Sequence, residues 1–167
     1  PAGEIGELVG RSSTMMSGYQ NQPDKTREGY WIDPEDGSVW QRMGDIGRLD
    51  ADGFVELLGR SKDMIISGGF NIYPVDLEGI LLGLPSVEEA AVIGVPSERW
   101  GETPVGFVTG GKGVKLDTDA LLKAANDQLG KTQRLSALFQ IDEMPRSHIG
   151  KLLKTDLRDM VAGKEIA

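Results

Sequence analysis

Three short segments set polar or charged side chains beside glycine. In Gly44-Asp45, with Gly47 close behind, a carboxylate sits where backbone can approach a ligand closely. Its two oxygens suit a pair of sugar hydroxyls. The same pair is also an ordinary turn whose Asp accepts backbone N–H bonds. The second segment is Gly59-Arg60-Ser61-Lys62-Asp63, followed by Ser67-Gly68-Gly69-Phe70-Asn71. Arg60 offers a rigid fork of donors for phosphate or sugar oxygens. Gly68-Gly69 lets backbone lie against a bound chain with no side chain between. Read plainly, it is a connector followed by a hairpin turn. The third is Pro145-Arg146-Ser147-His148-Ile149-Gly150-Lys151. A Lys on such a loop is a mobile point charge able to reach a neighbouring active site and stabilise a phosphoryl transition state. It equally fits a solvated Lys ahead of a helix, and it lacks the full phosphate-loop pattern of Gly, four residues, then Gly-Lys-Ser/Thr. His148 reads as a surface residue.

The elements that must position these residues fall into two textures. Over the first 60 or so residues short strands and turns dominate. Glu7-Leu8-Val9-Gly10-Arg11 is a strand candidate, and Leu49 to Leu57 reads as a hairpin around Asp52-Gly53. No long helical pattern appears there. Beyond Asp63, Met64-Ile65-Ile66 and Phe70-Asn71-Ile72 read as strands around the Ser67-Gly68-Gly69 turn. Pro74 fits the first position of a helix running to about Leu82. Glu89 to Val95 and Val105 to Thr109 read as buried strands, and Leu138 to Ile141 as another. Asp117 is placed to N-cap a helix carrying Leu121, Leu122, Ala125 and Leu129. Leu153, Leu157, Met160 and Val161 mark one face of a last helix. Strands and helices mix without regular alternation, so the fold class is α+β.

Composition narrows the function. The 167 residues include 23 Gly, against a usual share of roughly 7%. They follow no three-residue period, which excludes collagen. With 39% hydrophobic residues and three Trp there is enough to bury a core. A net charge of −8 disfavours nucleic acid as a partner, since that affinity comes from Lys and Arg neutralising phosphates. There is no Cys and a single His, so this sequence holds neither a thiolate nor a multi-His metal site. No run of about 18 apolar residues suggests a membrane span. The opening Pro1-Ala2-Gly3-Glu4 reads as the interior of something longer.

In order and spacing together, these segments strongly resemble the C-terminal part of an adenylate-forming acyl-CoA synthetase. That superfamily also holds peptide-synthetase adenylation domains and luciferases. Gly6-Glu7-Leu8, continuing to Gly18-Tyr19 and Pro23-Asp24-Lys25-Thr26, resembles a strand-and-loop segment late in the large domain. Trp40 to Gly47 resembles the Thr-Gly-Asp motif, and Gly59 to Pro74 the hinge and the loop after it. Trp100-Gly101-Glu102 matches a further block, and Pro145 to Lys151 the Pro-Arg-x-x-x-Gly-Lys signature. The resemblance implies a β-rich remnant of the large domain's barrel-like subdomain (residues 1–60), a hinge (61–63) and a small C-terminal domain with a mixed or antiparallel sheet and packed helices (64–167).

The resemblance also implies roles. Asp45 and Arg60 would bind the ribose of ATP and AMP, Lys62 would be the hinge residue, and Gly68 and Gly69 would line the tunnel for the pantetheine arm of coenzyme A. Lys151 would assist adenylation. The cofactors and substrates implied are ATP, Mg²⁺, coenzyme A and a carboxylic acid, expected to be fatty or otherwise apolar. The chain itself is expected to hold no protein metal site. The partner would be the missing N-terminal large domain, and the compartment cytoplasmic. A fragment lacking that domain is expected to be inactive alone. Two departures stand out: Met43 replaces the usual Thr before Gly-Asp, and Thr132-Gln133-Arg134-Leu135 replaces the usual Tyr-Lys-x-Pro. An adenylation domain that loads a carrier-protein thiol and a non-catalytic binding module are the alternatives.

Overall fold

The computed structural model describes residues 3–164, so the reading of Pro1 and Ala2 falls outside it. The chain divides between Lys62 and Asp63 into two compact units. The first is a four-stranded antiparallel sheet. Strand β1 (Gly6–Gly10) pairs with one edge of the long β3 (Val39–Leu49), and β2 (Tyr30–Ile32) and β4 (Val55–Arg60) share the other. The β3–β4 hairpin turns where the sequence places it. Asp50 Oδ1 accepts N–H bonds from Asp52 (2.9 Å) and Phe54 (2.8 Å), which closes the turn. The strand-and-loop expectation for Pro23-Asp24-Lys25-Thr26 is corrected: Pro23–Glu28 is a helix, α1, with Pro at its first turn and an acidic residue, Asp24, at its N-terminal end. Six residues are too few to display helical periodicity, so no pattern announced it. Among the described residues of this unit only Ile46 and Leu58 are buried large apolar side chains, while Ile32, Phe54, Val55 and Leu57 are exposed.

The second unit is a five-stranded mixed sheet with helices on both faces. Its elements are β5 (Ile65–Ser67), β6 (Phe70–Ile72), α2 (Pro74–Leu82), β7 (Val87–Ser97), β8 (Gly101–Gly110), α3 (Thr118–Asn126), β9 (Ala137–Gln140) and α4 (Lys154–Val161). The spine is the β7–β8 hairpin, paired antiparallel from Val87↔Gly110 to Ser97↔Gly101. On the far edge of β8, β5 joins at Gly101 and β9 runs parallel along Val105–Val108. The parallel pair requires a crossover, and α3 supplies it. Its predicted cap is present: Asp117 Oδ1 accepts the Ala120 N–H at 3.0 Å.

Period-two alternation along β7 sends side chains to two cores. Val92 packs with Ile65, Ile72, Leu77, Leu81 and Val108 under α2 and α3. Ala91 and Ile93 pack with Val105, Phe107, Met144, Leu157 and Val161 under α4. On α4 the expected apolar face is narrower than the sequence suggests, because Met160 is 45% exposed. Leu129 lies beyond the last residue of α3 yet still packs against the first core. Strands β7 and β8 are both longer than their apolar runs imply. Pro96 is tolerated in β7 because the even-numbered residues there turn their backbone polar groups to the strand's free edge, where no ladder bond is lost.

That free edge is closed by charge. The Val92 N–H donates to Glu78 Oε1 of α2 at 2.9 Å, and the Val92 carbonyl accepts from Lys154 Nζ of α4 at 3.0 Å. Lys154 Nζ also donates to Glu78 Oε1 at 2.8 Å, with the two side chains only 18% and 21% exposed. One ion pair thus ties a helix on each face to the edge strand between them and blunts that edge. Lys154→Met should lower the unfolding free energy by about 2–3 kcal/mol, since it leaves the Glu78 carboxylate and the Val92 carbonyl without their charged donor. Urea unfolding of the variant beside the parent chain checks this.

Candidate functional site

Asp45 and Arg60 are brought together in the first unit. They are directly opposed in the β3–β4 ladder, with Asp45 Oδ1 3.2 Å from Arg60 Nη1. Both neighbours of β3 slip register here. Against β1, the two steps from Glu7 to Val9 face the four from Ile46 to Arg42, so β3 bulges at Met43-Gly44-Asp45. Against β4, Leu58 is the extra residue and turns inward. Gly44 takes the left-handed conformation the bulge requires (φ +68°), and a Cβ there would meet Arg60 Nη2 at 3.5 Å. The bulge re-aims Asp45, whose side chain stays 28% exposed beside the 47% exposed Arg60. A half-solvated pair of this kind adds little stability. What it offers is an oriented carboxylate with free acceptor positions beside a guanidinium fork. Lys62 sits in a single 3₁₀ turn, Ser61–Asp63, exposed and adjacent to the division between the units.

Gly68 and Gly69 form the β5–β6 turn of the second unit, both with left-handed backbone (φ +57° and +83°). The turn is held against the β7–β8 hairpin. Gly68 N–H donates to the Trp100 carbonyl at 2.8 Å, and Ile66 N–H donates to Glu102 Oε2 at 2.9 Å. The Trp100 ring lies against Gly68, where a Cβ would meet it at 3.0 Å, and the Arg99 guanidinium lies over the same ring at 4.5 Å from its centroid. The sequence flags Trp100-Gly101-Glu102 as a block but assigns it no work. Its work is to back this turn.

Lys151 follows a tight loop in the same unit. Ser147 N–H donates to the Lys151 carbonyl (2.8 Å), Gly150 N–H to the Ser147 carbonyl (2.8 Å), and Leu153 N–H to the Pro145 carbonyl (2.8 Å). Ser147 Oγ accepts the Lys151 N–H at 3.2 Å. Gly150 closes the turn in the left-handed region, as a short hairpin loop requires. The Lys151 backbone is therefore fixed from both sides while its side chain is exposed. His148 is exposed at the loop's tip, as expected.

The loop and the glycine turn do not meet. Arg146 of the loop pairs with Glu89, near the start of β7. The glycine turn is tied to Trp100 and Gly101, at the hairpin end beyond Ser97. Eight residues of strand separate Glu89 from Ser97, about 26 Å at strand rise. Lys151 and the Gly68-Gly69 turn are thus presented at opposite ends of one rigid ladder.

Residues 76–151 match the AMP-binding enzyme C-terminal domain. The matched stretch begins within α2 and holds β7, β8, α3, β9 and the Lys151 loop. Over 97% of its length the chain is 38% identical to a 2-succinylbenzoate–CoA ligase of Geobacillus kaustophilus, of which it covers 32%. Over 92% it is 36% identical to the long-chain-fatty-acid–CoA ligase FadD13 of Mycobacterium tuberculosis, covering 29% of that protein. The structure aligns over 98% of the chain with ATP-bound MatB from Rhodopseudomonas palustris, at a TM-score of 0.89 and 34% identity, covering 31% of that chain. The chain spans about a third of the length of the curated relatives it matches. Among the described residues no helix is long and apolar enough to cross a membrane.

The turn geometry makes a local prediction. Gly68→Ala should cost more stability than Gly69→Ala. Both carry the left-handed penalty of about 1–2 kcal/mol, but only Gly68 also drives a Cβ into the Trp100 ring, whereas Gly69 faces open space. Chemical unfolding of the two variants side by side measures the difference.

Proposed function

We propose that the full-length protein carrying this chain is an ATP-dependent acid–thiol ligase. A carboxylate attacks the α-phosphorus of ATP, giving acyl-AMP and pyrophosphate. The thiol of coenzyme A then attacks the acyl carbon, forms the thioester and expels AMP. The observation that carries this reading is the opposed placement of the Lys151 loop and the Gly68-Gly69 turn on one ladder. The two CoA ligases with which the chain shares more than a third of its residues support the chemistry. A unit that offers a cation at one end and bare backbone at the other suits two steps with different needs.

In this reading Asp45 accepts hydrogen bonds from the ribose hydroxyls, and Arg60 orients it and reaches the same sugar. Lys151 places its ammonium against the charge that builds on the α-phosphate oxygens during adenylation. Lys62 is the hinge about which the second unit turns between steps, a conformational gate on the reaction. Gly68 and Gly69 then line the passage for the pantetheine arm, since no side chain stands in it. Among the described residues no cluster of three or more His, Cys, Asp or Glu could hold a metal ion. Mg²⁺, which would accompany the ATP phosphates, is assigned no step. The large domain that completes the site is the partner we infer. Phe54 and Leu57, exposed on the first unit, are apolar surface that such a domain would cover. A fatty or other apolar acid is the finer reading, supported by the long-chain-fatty-acid ligase. The 2-succinylbenzoate ligase does not favour it. The cytoplasm, which supplies ATP and coenzyme A, is the proposed compartment.

The two half-reactions test the assignment in the full-length protein. Lys151→Ala should slow adenylation by about 10²–10³-fold, the scale of removing one aimed electrostatic stabiliser. Thioester formation from preformed acyl-AMP should change by no more than about threefold. Gly69→Leu should reverse the pattern. Equal loss in both steps for Lys151→Ala would remove its role. Failure to acylate coenzyme A, with loading of a carrier-protein thiol instead, would transfer the chemistry to that acceptor.

A further inference from the structure

We propose that Arg146 and Glu89 are positioning residues that set where Lys151 is presented. This rests on the adenylation role given to Lys151 above. Arg146 joins the tip of the loop to the sheet. Nη1 donates to the Gly150 carbonyl at 3.0 Å, the residue immediately before Lys151, and Nη2 pairs with the Glu89 carboxylate. The guanidinium fork thus spans from strand β7 to the turn. A rigid planar fork holds such a geometry, whereas a single ammonium does not.

Glu89 is itself placed by a device of the sheet. Register slips between Val87 and Glu89, so Glu88 is the extra residue of a bulge. The Glu89 N–H is taken by the buried hydroxyl of Thr109 at 3.2 Å. The bulge lets Val87 pack into the core under α2 and α3 while Glu89, two residues later, shares the opposite face with Ala91. Without the extra residue, Val87 and Glu89 would point the same way. The carboxylate is thereby delivered to the face on which Met144, Leu152 and the loop are seated.

Stability alone does not account for this arrangement. Both side chains of the pair are nearly half exposed, at 46% and 45%, and surface pairs of that exposure contribute little to folding. Ser147 and Gly150 already close the turn by backbone bonds. What the fork adds is direction. It fixes the turn relative to β7, and so fixes the point from which the Lys151 side chain departs. When a charge must meet a developing oxyanion, an error of about 1 Å costs on the order of 10²-fold in rate.

The test uses the full-length protein and four variants: Arg146→Ala, Arg146→Lys, Glu89→Gln and Lys151→Ala, together with the Arg146→Ala/Lys151→Ala double variant. Arg146→Ala is expected to slow adenylation at least tenfold, with thioester formation from preformed acyl-AMP within twofold and the unfolding midpoint unchanged. Glu89→Gln is expected to give a smaller loss of the same kind, and Arg146→Lys to recover only part of it. In the Lys151→Ala background, Arg146→Ala should add no further loss, because its effect passes through Lys151. An additive double variant, equal losses in both half-reactions, or full adenylation by Arg146→Ala would overturn the proposal. If Lys151→Ala itself leaves adenylation intact, the earlier reading fails. If Lys151→Ala is slow while Arg146→Ala is not, only the positioning role fails.

Discussion

The β7–β8 ladder is the constraint on which the second unit depends. Its ten paired rungs carry residues to both cores, give β5 and β9 an edge to join, and hold a loop at each end. A ladder of this length cannot shorten, because each residue contributes a fixed rise of about 3.3 Å. Everything attached near Glu89 is therefore kept away from everything attached near Ser97. The weak point of such a spine is its free edge at β7, whose Val92 backbone groups would otherwise be a template for another strand. Glu78 and Lys154 occupy those groups from either face of the sheet. Because Lys154 is only three residues beyond Lys151, the same contact also pins the chain leaving the Lys151 loop.

Much of this was legible in the sequence because local chemistry decided it. Pro74 opening α2, Asp117 capping α3, Asp52-Gly53 marking the β3–β4 turn, and the apolar run of Ala90 to Ile93 all act within a few residues of themselves. What was not legible depends on partners far along the chain. Arg146 finds Glu89 across 57 positions, and Lys154 finds Glu78 across 76. Nothing in a single sequence distinguishes these charges from solvated ones. Met160 shows the opposite error. Its spacing fits the α4 stripe, but the buried apolar side chains that α4 sets against the sheet are Leu157 and Val161. The candidate site divides along the same line. Asp45, Gly68, Gly69 and Lys151 are marked by neighbouring glycine. Trp100 and Glu102, which hold the glycine turn in place, carry no local mark of doing so.

The glycines have two distinct physical causes. At Gly44 and Gly68 the backbone is left-handed and a bulge or turn demands it. At Gly106 the backbone is ordinary, and the reason is packing. A Cβ there would lie 2.7 Å from Leu138, in the seam between β8 and the parallel β9. Only the first kind bears on ligand chemistry, because it bends the chain into places where backbone groups face outward. Composition alone merges the two.

The opposed loops keep the needs of the two proposed steps apart in space. Adenylation needs positive charge beside an α-phosphate on which negative charge grows. Thiol attack on the acyl carbon needs an open path and gains nothing from a cation left in the way. If both loops stood at the same end of the unit, one position would have to satisfy both needs. With some 26 Å of strand between their anchors, the Lys151 loop and the glycine turn would take the proposed site in turn, one presented as the other is withdrawn. The exclusivity lies in the sheet and not in a switch residue. It follows that the loops need only be stiff relative to the ladder, and the contacts of Arg146 at one end and of Trp100 and Glu102 at the other are the ones that make them so.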